Sequence, residues 1–196
     1  MIRQDHDTSD WKYYIWPKYF TPEQCKELGD FIDSNYISSG DGDYTARNNK
    51  GEPLKAISNV KSISYEAIKH LISPLINNAF YIANNKFGYL TFGPYDVEQL
   101  NFNTYSSDSH DQYRWHIDES PNSQEDIKLT LLMNLSTEEY EGGEFETYIY
   151  EKKRIDEFSQ PGSVYMFPSK FHHRVLPVTS GTRKSLTFFI TGPRFR

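Results

Sequence analysis

From about Asp96 onward the chain is written in short alternating segments, and this constrains its fold more than any other feature. The runs VEQLNFNTY, YRWHID, IKLTLLMNLS, GEFETYIY, SVYMFP, RVLPV and SLTFFITG are separated by Asn-Ser, Gly-Gly, Pro-Gly and Ser-Gly. Segments of that length, rich in β-branched and aromatic residues and bounded by turn formers, predict strands. About seven or eight of them after a helical region predict an α+β chain that is mostly β, a sandwich or barrel of the jelly-roll (double-stranded β-helix) kind with helices packed outside it. The expected division is a helical support over about 1–95 and a jelly-roll core over about 96–196, together one domain.

The helices have their own signals. Thr21-Pro22-Glu23-Gln24 offers a capping hydroxyl, a proline at the first helical position and a Gln placed to close a capping box. Cys25, Leu28, Phe31 and Ile32 then recur at helical spacing, through about Asp33. Cys25 therefore reads as a small buried side chain. A second helix is expected from about Ser64 to Lys86, with Ala67, Ile68, Leu71, Ile72, Leu75, Ile76, Ala79, Phe80 and Ala83 on one face. Pro74 lacks an amide proton and predicts a kink or break there. Between the helices, residues 38–58 show no sustained period and read as a loop or a pair of short irregular strands. A loop this long serves as a lid or binding segment, or is a plain surface excursion.

Composition bears on how such a chain forms a core. Only 37% of its residues are hydrophobic, yet it carries 3 Trp, 15 Tyr and 13 Phe. The rings supply buried area while tyrosine hydroxyls lower the mean hydropathy, so wholesale disorder is excluded. The net charge of −6 argues against gripping a nucleic-acid backbone. No apolar run approaches the roughly 18 to 20 residues that span a bilayer. The opening MIRQDHDTSDWKYY has no apolar signal core, and the single cysteine cannot form an internal disulfide. These features lead to the expectation of a soluble cytoplasmic protein.

Three features carry chemistry. In Trp115-His116-Ile117-Asp118, residues two apart on a strand share a face, so His116 and Asp118 point into one space. Downstream, Phe171-His172-His173-Arg174 offers a second histidine. Two histidines and a carboxylate leave coordination positions open, which suits non-haem Fe(II); zinc hydrolases use the same ligand types. The third feature is Arg183, ten residues after His173, with Ser180-Gly181 read as a turn that brings both side chains to one interior. A guanidinium there needs an anion, and a dicarboxylate supplies one through bidentate pairing. Tyr105, Tyr113 and Trp115 flank the metal-bearing strand and are expected to line the pocket.

Together WHID, KLTLLMNLS, YEGGEF, QPGSVYMFP and FHHRVLPVTSGTR resemble the 2-oxoglutarate- and Fe(II)-dependent oxygenases of the prolyl 4-hydroxylase type. The resemblance covers roughly residues 96 to 192, and YFTPEQCKEL resembles the start of that family's helical support. It implies that His116, Asp118 and His173 ligate iron and that Arg183 binds the distal carboxylate of 2-oxoglutarate. The family's ligand stands four residues before Pro-Val and ten before the basic residue, which selects His173 over His172; His172 is then expected to be packing beside the site. Some members add a Tyr or Thr on the strand after H-x-D; here Leu131 and Leu132 cannot hydrogen-bond, and Tyr105 or Tyr113 is the expected substitute. The implied chemistry consumes 2-oxoglutarate and dioxygen, with ascorbate as a supporting reductant, and releases succinate and CO2.

The implied substrate is a residue of a peptide or protein, proline first, with lysine or a free small molecule as the alternative. Nucleic-acid demethylases of the AlkB type carry a second arginine six residues after the first, where this chain has Phe189. A non-catalytic, metal-binding jelly-roll module is the reading from a different class. Asp41, Asp43, Glu119, Glu125 and Asp126 make the expected mouth loops acidic. His6 and His70 have no evident partner in sequence, and His110 reads as loop surface.

Overall fold

The computed structural model describes residues 12–37, 51, 55–56, 59–93, 99–119 and 124–194. In chain order the elements are β1 (Tyr14–Trp16), α1 (Pro22–Asn35), β2 (Lys55–Ala56), β3 (Asn59–Ser64) and α2 (Tyr65–Asn85). Then follow β4 (Gln99–Ser106), β5 (Gln112–His116), β6 (Glu125–Asn134), β7 (Tyr140–Gly142), β8 (Phe145–Ile149), β9 (Glu151–Arg154), β10 (Val164–Pro168), β11 (His173–Val175) and β12 (Val178–Pro193). The strands form two antiparallel sheets, ordered β1-β10-β6-β12-β4-β3 and β2-β5-β11-β8-β9, with β7 pairing β12 off the first. This is the expected jelly roll. The segment 38–58, read from sequence either as a lid or binding segment or as a plain surface excursion, lies mostly outside the described residues.

Alternation along the strands of the larger sheet separates two cores. Leu129, Leu131 and Met133 of β6, Val164 and Met166 of β10, and Leu186, Phe188 and Ile190 of β12 pack with α1 and α2. Phe188 sits between Tyr65 and Phe80, with ring centroids 6.1 and 6.2 Å away. Full burial of such a side chain is worth about 1.5–3 kcal/mol. The opposite face meets the smaller sheet. Tyr105, Leu132, Tyr165, Phe167 and Val178 pack there against Phe145 and Val175.

The helix signals act as expected at their starts. Thr21 Oγ1 accepts from the Gln24 amide and Gln24 Oε1 accepts from the Thr21 amide, a closed capping box with Pro22 at the first turn. The N-cap of α2 is Ser64, whose side chain accepts from the Ala67 amide. Contrary to a break, α2 runs through Pro74, whose ring lies on the exposed face where its lost hydrogen bond involves no core contact. Neither described helix is long and apolar enough to cross a membrane. Nor is Ser180-Gly181 a turn. Both lie within the sixteen-residue β12, where Gly181 (φ 70°) lets the strand approach β7; a Cβ there would stand 2.5 Å from the Glu139 carbonyl oxygen.

Candidate metal centre

β5 and β11 pair so that His116 and His173 are direct cross-strand partners, their ring centroids 4.1 Å apart. Each ring is oriented by the backbone carbonyl two residues before it. His116 Nδ1 lies 2.7 Å from the Arg114 carbonyl oxygen, and His173 Nδ1 lies 2.9 Å from that of Phe171. A carbonyl only accepts, so Nδ1 carries a hydrogen, and in the neutral ring the lone pair stands on Nε2. Both Nε2 atoms face Asp118: that of His116 is 3.6 Å from Oδ1, and that of His173 is 3.4 Å from Oδ2. The donor atoms of the three residues all fall within 4.8 Å of one another.

Such an arrangement suits a cation. Three lone-pair donors gathered with little solvent repel one another, and separations of 3.4–3.6 Å can be spanned by an ion whose bonds are about 2.0–2.2 Å long. The carbonyl contacts at both Nδ1 atoms are the outer support that metal-binding histidines ordinarily need.

Asp118 reaches the group by a route the strand pattern did not foresee. β5 ends at His116, and Asp118 lies in the following segment. Its amide donates to the Ser169 carbonyl oxygen at 3.0 Å, and its Oδ2 accepts from Thr130 Oγ1 at 2.6 Å. His172 stays out of the cluster. Its side chain is exposed, while its carbonyl accepts from the Tyr148 amide.

The rings near the metal group divide by a bulge. His173 pairs with His116 but Val175 pairs with Tyr113, so three steps along β5 match two along β11. The extra residue returns Tyr113 to the His116 face, where the two rings stack with centroids 3.4 Å apart. Trp115 is turned away instead, contrary to the expectation that it lines the pocket. Its ring carries the Arg174 guanidinium at 4.8 Å, and Arg174 is in turn held by Glu146.

Arg183 is 2% exposed, on the interior face of β12. Its cross-strand partner is Tyr105, whose ring lies 5.2 Å from the guanidinium carbon, with Phe158 at 5.8 Å. Nη1 donates to Ser185 Oγ at 3.3 Å. No carboxylate among the described residues pairs with it, and ring faces offset only part of the cost of a buried cation. The site therefore favours an anion from outside the chain. Burial pushes the Tyr105 hydroxyl up to about 12; nearby Arg183 opposes the rise, while Asp111 and Asp118 add to it. It thus remains a neutral donor. A cavity of about 730 Å³ borders Arg183 on the β7–β8 side, lined by Gly143, Phe145 and Phe158; the His–Asp–His group is not part of its wall.

Several polar residues on this interior face escaped the sequence reading. Thr130, Asn103, Ser185 and Thr187 are buried there, and Asn103 Oδ1 has no hydrogen-bond partner. The available signal was alternation: Leu129, Leu131 and Met133 face the helices, so Thr130 must face the other way. Leu131 faces the helices and Leu132 the interior. Of the acidic mouth residues, Asp126 meets Lys128 and Arg194, whereas Asp41 and Asp43 lie outside the described residues.

Comparison with known proteins agrees with this geometry. Residues 100–191 match the model of the 2OG-Fe(II) oxygenase superfamily. A PKHD-type hydroxylase from Crocosphaera subtropica is 31% identical over 83% of this chain and 71% of its own length. Among solved structures, a viral collagen prolyl hydroxylase from Paramecium Bursaria Chlorella virus-1, in a 2OG complex, matches with TM-score 0.64 and 17% identity, covering 92% of this chain and 96% of that one. A prolyl hydroxylase from Trichoplax adhaerens, in complex with a hypoxia inducible factor oxygen degradation domain peptide fragment, matches with TM-score 0.62 and 18% identity, covering 91% and 83%.

Proposed function

Since the chain belongs to the 2OG-Fe(II) oxygenase superfamily, as a prolyl 4-hydroxylase-like dioxygenase, we propose that it hydroxylates a residue of a protein or peptide, with proline as the target and succinate and CO2 as co-products. The observation that carries the reading is the convergence of His116 Nε2, His173 Nε2 and the Asp118 carboxylate on one point. In this reading these residues hold Fe(II), which with 2-oxoglutarate and dioxygen supplies the oxidation. The curated relative is named a PKHD-type hydroxylase, and one structural neighbour is bound to a peptide, which supports a peptidyl target.

The protein's own part is orientation and exclusion of water. The two backbone carbonyls fix the imidazole tautomers, so neither ring must shed a proton to bind metal. Arg183 offers two parallel N–H donors to the distal carboxylate of 2-oxoglutarate, and burial makes that pairing stronger than it would be in water. Tyr105 and Tyr113 are the further co-substrate contacts of this proposal; the Tyr105 hydroxyl remains protonated and able to donate. The apolar interior, with Phe145, Phe167 and Val175, excludes water from the centre.

The test is incubation with Fe(II), 2-oxoglutarate and ascorbate against proline-containing peptides, reading succinate and the mass of each peptide. A gain of about one oxygen on proline is the expected result. Oxygen gained only on lysine peptides or on free small molecules would replace the substrate. Absence of both 2-oxoglutarate binding and succinate would overturn the catalytic assignment.

A further inference from the structure

We propose that Phe158 is a positioning residue that seals the Arg183 guanidinium from the neighbouring cavity, and that Asn134 holds Phe158 in place to do so. The inference rests on the reading of Arg183 as the anchor for the distal carboxylate of 2-oxoglutarate. A cavity of about 730 Å³ borders Arg183, yet the side chain is 2% exposed. Two wall residues account for this. A Cβ on Gly143 would stand 2.9 Å from Arg183 Cδ, so the glycine backbone lies close against the aliphatic stem. The Phe158 ring lies against the charged end, 5.8 Å from the guanidinium carbon. Phe158 is itself 2% exposed and meets Phe145 edge-on at 5.7 Å.

Phe158 owes this position to a residue from another element. It belongs to Asp156–Ser159, a single 3-10 turn between β9 and β10 that lies in neither sheet. The last carbonyls of so short a helix need partners from outside it. Asn134, at the end of β6, supplies two donors: its Nδ2 meets the Phe158 and Ser159 carbonyl oxygens at 3.0 Å each. Its Oδ1 accepts from the Ser136 amide at 3.0 Å, which uses the remaining polar atom of the side chain. The Asn134 amide donates to the Ser163 carbonyl oxygen, and its own carbonyl accepts from the Gly162 amide. The chain on leaving the turn is therefore tied to the same residue. Asn134 is also the cross-strand partner of Ser185, whose Oγ accepts from Arg183.

The contents of the cavity give the seal its consequence. Glu138, Glu139, Glu141 and Glu144 stand in its wall. A guanidinium open to that space meets water, which weakens its pairing with a carboxylate. It also meets carboxylates of the chain itself, which compete with the co-substrate. With the ring in place, the guanidinium is kept for an anion that enters from the interior.

The test is modification of arginine by 2,3-butanedione on the full chain, read as the mass of the Arg183 peptide and scaled to exposed Arg154 and Arg194. In the parent, Arg183 should react at least about 10-fold more slowly than those two, and in Phe158→Ala it should approach them. Asn134→Ala should release the turn and raise the Arg183 rate as well. Calorimetry on Mn(II)-loaded protein should show both variants binding 2-oxoglutarate about 10-fold more weakly, with Mn(II) affinity within about two-fold of the parent. Phe158→Leu carries the same measurements if either variant fails to fold by circular dichroism. The parent rate at Arg183 in folded Phe158→Ala or Phe158→Leu overturns the seal; the same result in folded Asn134→Ala overturns the part given to Asn134. Raised reactivity without weaker 2-oxoglutarate binding overturns the positioning role. Equal 2-oxoglutarate affinity in Arg183→Gln and the parent overturns the co-substrate reading beneath the proposal instead.

Discussion

His172 and His173 are adjacent in sequence, yet only one can serve the cluster. Successive side chains on a strand point to opposite faces, and pairing of β11 between β5 and β8 leaves His173 inside, 4% exposed, and His172 outside. The inward ring also rests on Phe167 at 4.7 Å and Phe145 at 5.7 Å, which fix its plane. His173→Ala should weaken Fe(II) or Mn(II) binding by more than the roughly 10- to 100-fold typical of an outer-shell loss, while His172→Ala stays within about two-fold. Calorimetry on the two variants decides it: metal binding lost in His172→Ala and kept in His173→Ala would reverse the assignment. The H-x-D spacing was legible from residues 116–118 alone. The contact of Thr130 with Asp118 was not, because a threonine within LTLLM looks like ordinary strand composition until its hydroxyl is seen against the carboxylate.

At the scale of elements, the Gly-Gly where β7 ends and the connection to β8 begins shapes the bed of Arg183. Gly142 and Gly143 have φ of 74° and 63°. A Cβ on Gly143 would stand 2.9 Å from Arg183 Cδ and 3.0 Å from Val178 Cγ2. Gly143→Ala thus combines left-handed backbone strain of about 1–3 kcal/mol with displacement of the guanidinium stem. The expected outcome is a lower melting temperature together with a raised KM for 2-oxoglutarate and unchanged Mn(II) affinity. If 2-oxoglutarate KM stays at the parent value, the glycine serves the turn alone. Strand identities in this half were legible because apolar alternation is strong in β6, β10 and β12. β9 and β3 escaped notice: Glu151–Arg154 is exposed and polar throughout, and its pairing with β8 is decided by the hairpin; Asn59–Ser64 pairs with β4, far along the chain.

Over the whole molecule, Asp33 joins the helical support to the sheet that carries Arg183. It lies in the last turn of α1 and meets Lys61 of β3 at 2.6 Å and Lys184 of β12 at 2.8 Å. Lys184 points outward to α1, while Arg183 beside it points into the jelly roll. Burial opposes the Asp33 charge, but the hydrogen bonds and charges of Lys184 and Lys61 outweigh it, so its carboxyl is held below the ordinary 3.8. A lowered folded value stabilises the fold above 3.8, and that contribution is lost as pH falls through the folded value. Asp33→Asn leaves Lys61, 7% exposed, without this partner, a cost between that of a surface and a buried pair, about 1–3 kcal/mol. Urea unfolding should show the gap at neutral pH and its closure well below 3.8; a gap constant across that range would refute the linkage. The sequence by itself determined the class of fold, both helix starts and which residues are candidate ligands, because these depend on local spacing, capping and alternation. Tertiary structure alone decided that β12 is continuous, that a bulge brings Tyr113 onto His116 and sends Trp115 outward, and that Thr130 meets Asp118. Each of those depends on the register between strands distant in sequence, which no local pattern encodes.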